Sequence, residues 1–170
     1  SPFTLFKYIN VVPAGHYLIY ENNAITIRRY DEFNFEPNNY SREENVEIVG
    51  SLLKESIRYR MVSDLPVGAH LSGGVDSSAI VSIMNEIASD QVNTFSIDFE
   101  TQKFSEGKFA KIVAEENKTN HHHFMVREAD LKGELFNILE SMDSPTVDGI
   151  NTYFISKFTR EAGISVAMSG

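Results

Sequence analysis

The chain has 170 residues, 42% of them hydrophobic and 23% charged, the proportions of a soluble globular domain. A formal charge of −9 argues against a nucleic-acid partner, whose binding surfaces are basic. Zero cysteines exclude a disulfide framework, a thiolate metal site and a cysteine nucleophile and are compatible with the cytosol, while no apolar run is long enough to span a membrane.

In chain order, Tyr17 to Tyr20 and Ile25 to Tyr30 are β-prone runs separated by Glu21-Asn22-Asn23, a hairpin signal. Phe33 to Asn39 reads as a linker. Ser41 with Glu44 has capping-box spacing, and Val46, Val49, Leu53, Ile57 and Met61 recur at helical intervals, predicting a helix over roughly 42–62 that Asp64-Leu65-Pro66 stops. A strand follows over Val67 to Leu71, then a helix over 77–88 whose apolar face is Ile80, Ile83, Met84 and Ile87. Further strands are expected at Asn93 to Phe99, His122 to Val126 and Ile164 to Met168. Helices are expected over 105–117, around Leu131 to Met142, and around Ile150 to Phe158, the last ending near Gly163. Strands alternating with helices predict an α/β fold, a doubly wound parallel sheet with helices on both faces, preceded by the short β-hairpin. The chain begins without Met and ends on Ser169-Gly170, so it reads as a segment of a longer protein.

The chemistry concentrates in Leu71-Ser72-Gly73-Gly74-Val75-Asp76-Ser77-Ser78, between a strand and a helix. Two glycines let backbone N–H groups close around phosphate oxygens, and the next helix points its partly positive N-terminus at the same place. Ser72, Ser77 and Ser78 add hydroxyl donors. Asp76 is acceptor-only when ionised, so beside phosphates it suggests a Mg²⁺ ligand. The plainer alternative is a Gly-Gly turn whose Asp76 and Ser77 cap the helix, which leaves the paired glycines and Ser72 unexplained. A P-loop is excluded, because Gly74 and Val75 stand where its Lys and Ser/Thr belong. No Gly-x-Gly-x-x-Gly follows a strand, which disfavours a dinucleotide fold. In a parallel sheet the Ser72–Ser78 loop, Ile97-Asp98 and Ser169-Gly170 all fall at carboxyl ends of strands, where ligands bind.

Several stretches together resemble the glutamine-dependent asparagine synthetase family: Ile9 to Tyr17, Arg60 to Gly68, the Ser-Gly-Gly-x-Asp-Ser loop, Thr94 to Ile97, Met142 to Pro145 and Ser165 to Gly170. The resemblance implies an adenine nucleotide α-hydrolase-like fold. Residues 1–40 would be the remnant of a glutaminase domain and a linker, and 41–170 the first part of an ATP-binding synthetase domain. It implies that Ser72, Gly73, Gly74, Asp76, Ser77 and Ser78 bind the pyrophosphate of ATP and its Mg²⁺. Leu71, Ile97 and Gly170, with Ser169 beside it, would meet the nucleoside. The reaction implied is adenylylation of a carboxylate, aspartate by family default, followed by attack of glutamine-derived ammonia. These partners are small molecules, with no nucleic acid and no membrane; the oligomeric state stays open, and the expected location is cytoplasmic. Catalytic side chains are not assigned. The family's N-terminal nucleophilic Cys and the acidic loop expected beyond Gly170 are not in this sequence, so the fragment alone is expected to be inactive in amide formation. Val147-Asp148-Gly149-Ile150-Asn151 differs from the commonest family pattern near the acceptor, which leaves another carboxylate open. Two other readings stand beside this one: a nucleotide-binding module without catalysis, and a different pyrophosphate-loop ligase or amidotransferase.

His121-His122-His123 invites a metal-site reading, but neighbours in a strand point to opposite faces, so packing or capping histidines are expected. Asp143 is either a turn residue ahead of Pro145 or part of an acceptor site.

Overall fold

Asn22 and Asn23 both adopt left-handed backbone angles, φ +50° and +59°, which two-residue turns between twisted antiparallel strands demand. They close the ribbon of β1 (His16–Glu21) and β2 (Ala24–Arg29), which pair from His16↔Arg29 to Glu21↔Ala24. The computed structural model describes residues 4, 6–100, 107–142, 146 and 148–170. The chain divides into two compact units, Ser1–Ser41 with the ribbon and Arg42–Gly170 with everything else.

The second unit runs α1 (Arg42–Arg60), β3 (Val67–His70), α2 (Val75–Ile87), β4 (Asn93–Phe99), α3 (Gly107–Glu116), β5 (Asn120–Val126), α4 (Glu128–Ser141), α5 (Gly149–Glu161) and β6 (Val166–Met168). Its sheet has the order β5-β4-β3-β6, every pairing parallel. The chain therefore winds outward from β3 to β5, then returns to place β6 on the other side of β3. That reversal puts a crevice between the carboxyl ends of β3 and β6, where open α/β sheets bind ligands.

Each face of the sheet has its own core. On one, Ala69 and Leu71 pack with Ile57 of α1, Val81 and Met84 of α2, and Ala110 and Ala114 of α3. On the other, Val126 packs with Ile138 of α4 and Phe154 of α5, flanked by Ile97, Phe99 and Phe158. The doubly wound parallel sheet with helices on both faces is thus the architecture formed. Along α1, Ile57 is buried and Leu53 packs against the core, as does Met61 just past the helix end, whereas Val46 and Val49 of the same stripe are exposed.

Several boundaries depart from the sequence expectation. The second helix starts at Val75 rather than 77, because Gly74 is its N-cap, with φ −70° and ψ 164°; Asp76 and Ser77 lie inside its first turn and do not cap it. The third strand of the sheet starts at Asn120 rather than His122, because Asn120 and His121 pair with Asn93 and Thr94 of the neighbouring strand. The last strand is confined to Val166–Met168. The start expected for the helix over 105–117, and the turn at Asp143-Ser144-Pro145, lie outside the described residues.

Candidate nucleotide site

β3 delivers the loop to the carboxyl edge of the sheet, and Leu71 N–H donates to the Phe95 carbonyl at 2.7 Å, carrying the β3–β4 register past the strand end. The hydroxyls then organise the turn. Ser72 Oγ lies 3.0 Å from Ser77 Oγ, and the Gly74 N–H donates to Ser72 Oγ at 3.3 Å. The Ser77 and Ser78 hydroxyls donate to the Gly74 carbonyl at 3.2 and 2.6 Å. Gly74, the N-cap of α2, has no side chain to cap the helix, so among the described residues its first-turn N–H groups face the loop with the helix dipole behind them.

Gly73 serves the loop in a way the sequence does not announce. Its φ is +82°, and a Cβ there would lie 2.5 Å from Ala110 N and Phe109 Cβ. The glycine is required by the left-handed backbone and by the close approach of α3. Gly170 is the residue that approaches the α2 terminus: a Cβ on it would sit 3.0 Å from Ser77 N and 3.2 Å from Asp76 Cβ.

Beside this terminus lies a cleft of about 540 Å³ lined by His70, Leu71, Ser72, Ile97, Asp98, Ser169 and Gly170, with Asp148, the N-cap of α5, and Asn151, Thr152 and Ile155 of that helix among its other walls. The three strand ends expected to meet therefore do meet. Leu71 is 1% exposed with its side chain in the core, so its offering to the cleft is backbone. Gly73, Gly74, Asp76, Ser77 and Ser78 form the adjoining loop and helix end, with Asp76 exposed.

His70, Thr152 and Ile155 were not singled out from the sequence, whereas Asp148 and Asn151 lie in the stretch noted there as near the acceptor. The available signal was a polar residue closing a buried strand immediately before Leu71. His70 Nε2 lies 3.4 Å from Thr159 Oγ1, and burial lowers its pKa below the usual 6.5, which favours neutral imidazole in the cleft wall. The Asn151 amide donates to Asp148 Oδ1 at 3.0 Å, fixing that carboxylate at the mouth of α5.

The three consecutive histidines obey strand alternation. His122 stacks on Phe95 on one face, ring centroids 5.0 Å apart. His121 and His123 point to the other, where both bond Ser96 Oγ at 3.0 Å. Burial lowers the pKa of His121, helped by the neighbouring His123 and His122. Among the described residues no group of three His, Cys, Asp or Glu side chains is placed to hold a metal ion, and no helix is long and apolar enough to cross a membrane.

A parallel sheet whose switch point carries a glycine-bearing loop, an uncapped helix terminus and a polar cleft defines a nucleotide-binding type of α/β domain. The family model for asparagine synthase matches residues 49–170, and the chain belongs to that family. It is 35% identical over its whole length to the putative asparagine synthetase [glutamine-hydrolyzing] 2 of Methanocaldococcus jannaschii, covering 34% of that protein. It is 34% identical to asparagine synthetase [glutamine-hydrolyzing] 1 of Bacillus subtilis, covering 27% of it. The chain thus spans about a third or less of these curated relatives. Among solved structures, an NMN synthetase from Francisella tularensis aligns with 74% of this chain and 53% of its own, at TM-score 0.46 and 14% identity.

Proposed function

We propose that the natural protein carrying this sequence is an ATP-dependent amide-forming ligase. It adenylylates a carboxylate, releases pyrophosphate and aminates the product with ammonia taken from glutamine. One observation carries the reading: Gly170, at the end of β6, closes on Ser77 at the uncapped terminus of α2, beside the cleft walled by β3, β4 and α5. Aspartate as acceptor and glutamine as nitrogen source are supported by the names of the relatives, asparagine synthetase [glutamine-hydrolyzing]. In the same reading residues 1–40 are the remnant of a glutaminase domain and a linker, residues 41–170 open the synthetase domain, and the protein is cytoplasmic.

The residues divide the work. Ser72, Gly73, Gly74, Ser77, Ser78 and the first N–H groups of α2 hold the pyrophosphate moiety. The Leu71 backbone, Ile97, Ser169 and Gly170 hold the nucleoside, leaving the α-phosphate near the cleft mouth. Asp76 suits Mg²⁺, which neutralises the polyphosphate and the charge that builds on it. A carboxylate oxygen leaves poorly and AMP leaves well, so the enzyme's task is alignment and charge stabilisation rather than proton transfer. Backbone donors and a helix terminus supply both without reorganising.

The test is ATP–pyrophosphate exchange by the natural chain against a panel of carboxylates, followed by amide formation with glutamine or ammonium. Aspartate-dependent exchange is expected. Exchange with another acid alone would overturn the acceptor, and no exchange with any acid would overturn the ligase.

A further inference from the structure

We propose that Asp98 is a positioning residue for the pyrophosphate loop, acting on Gly73 through the first turn of α3. The inference rests on the ligase reading above. Its starting point is an anomaly in β4. A strand covered on both faces should be apolar throughout, yet its three residues facing α3 are Thr94, Ser96 and Asp98, at 0%, 4% and 4% exposure. They belong to one file of polar groups running along the sheet. Thr119 Oγ1 lies 2.8 Å from Thr94 Oγ1, which lies 2.9 Å from His121 Nδ1. His121 Nε2 and His123 Nδ1 each lie 3.0 Å from Ser96 Oγ, and His123 Nε2 lies 3.6 Å from Asp98 Oδ2. Burying so many polar groups gives little net stability over an apolar strand, but it fixes where each one points.

The file ends on a carboxylate that grips a helix. Gly107, the first residue of α3, donates its N–H to Asp98 Oδ1 at 3.3 Å, and a carboxylate at that end is favoured by the helix dipole. The fit leaves no slack: a Cβ on Gly107 would lie 2.4 Å from Asp98 Oδ2 and 2.7 Å from His123 Cε1. Within the same turn, Phe109 and Ala110 press on Gly73, where a Cβ would lie 2.5 Å from Ala110 N. The first turn of α3 is therefore held by Asp98 on one side and bears on the loop on the other. Close-packed backbone passes such a displacement on rather than absorbing it. Asp98 sets where Gly73, and with it the phosphate-facing N–H groups, come to rest.

The experiment uses the natural chain and two readouts, ATP–pyrophosphate exchange and equilibrium binding of AMP, which occupies the nucleoside half of the cleft without the pyrophosphate loop. Asp98→Ala is expected to raise the KM for pyrophosphate about tenfold, since misplacement of a fraction of an ångström weakens aligned contacts. AMP affinity should stay within about twofold, a change of under half a kcal/mol. Asp98→Asn, which keeps an oxygen for the Gly107 N–H, should restore most of the loss. If Asp98→Ala fails to fold, Asp98→Ser, matching Ser96 on the same face, answers the same question. Loss of AMP affinity in parallel with pyrophosphate would make Asp98 a direct nucleoside contact and overturn the proposal. A lowered melting temperature with all constants unchanged would overturn it too. A wild-type protein that neither binds AMP nor exchanges pyrophosphate would instead sink the ligase reading, and this inference with it.

Discussion

Gly170 and Ser77 meet across the switch point of the sheet, the first following β6 and the second in the first turn of α2, with little clearance: a Cβ on Gly170 would be 3.0 Å from Ser77 N. The contact exists because β6 pairs with β3 and not with β5. It brings a glycine from the end of the chain onto the donors that a phosphate would use.

Gly170→Ala should therefore weaken Mg-ATP binding, and because the tight contact also costs the free protein some stability, each form is compared with its own ligand-free state. Ligand at a hundred times its Kd stabilises a folded protein by about 2.7 kcal/mol, so the wild type should show a clear thermal shift. The variant should show a much smaller one at the same concentration. Equal shifts would place the phosphates elsewhere.

Gly73 and Gly163 form a controlled pair, at φ +82° and +86°. A Cβ on Gly163 meets nothing within 4 Å, whereas one on Gly73 strikes the α3 backbone. Gly163→Ala should cost the left-handed penalty alone, about 1–2 kcal/mol. Gly73→Ala should cost clearly more in denaturant unfolding. Similar values would mean that α3 moves aside freely.

Glu134 accepts from Lys157, Asn137 and Tyr153, and these bonds, that from Lys157 foremost, hold its carboxyl at about 2 rather than 4.5. The depressed value means that Glu134 contributes stability that is fully present above about 4.5 and lost as pH falls toward about 2. The melting-temperature advantage of wild type over Glu134→Gln should shrink across that window. An advantage constant from neutral pH to pH 3 would refute the network.

His70 and His121 should both titrate below the usual 6.5, because burial disfavours their charged forms. Imidazole shifts followed by NMR between pH 8 and 5 would show this directly. Their folded values being depressed, the contribution to stability is present above 6.5 and lost as pH falls. Midpoints at or above the ordinary value would contradict the buried placement.

Phe154 is 1% exposed in the α4/α5 core, while Phe136 of α4 is 79% exposed. Phe154→Ala should cost about 3–5 kcal/mol as a cavity opens. Phe136→Ala should stay within about 0.5 kcal/mol. Reversed values would mean that α4 is rotated on its axis.

Periodicity made the architecture readable because apolar residues recurred at helical and strand spacing: Ile80, Ile83, Met84 and Ile87 mark α2 as plainly as Phe95, Ile97 and Phe99 mark one face of β4. The loop was readable because Gly73-Gly74 with three serines has few other uses. What escaped was polar structure inside the sheet. Asn120 and His121 look like the end of a loop until their partners Asn93 and Thr94 are known. His70 escaped for a related reason, since its neighbour Thr159 lies far along the chain in α5. Gly73 was recognised, but the crowding against it was not, because that comes from a helix that follows only after another strand.

The strand order also fixes a sequence of events during synthesis. Translation delivers β3 first and β6 last, with α2, β4, α3, β5, α4 and α5 emerging between them. A growing chain can pair β3 with β4 and β4 with β5 early, over modest separations, but the other edge of β3 waits for the whole intervening stretch. Until then that edge is an open template for stray strands. Ser169 and Gly170 follow β6 directly, so the cleft that they line takes shape only after that edge of β3 has been paired.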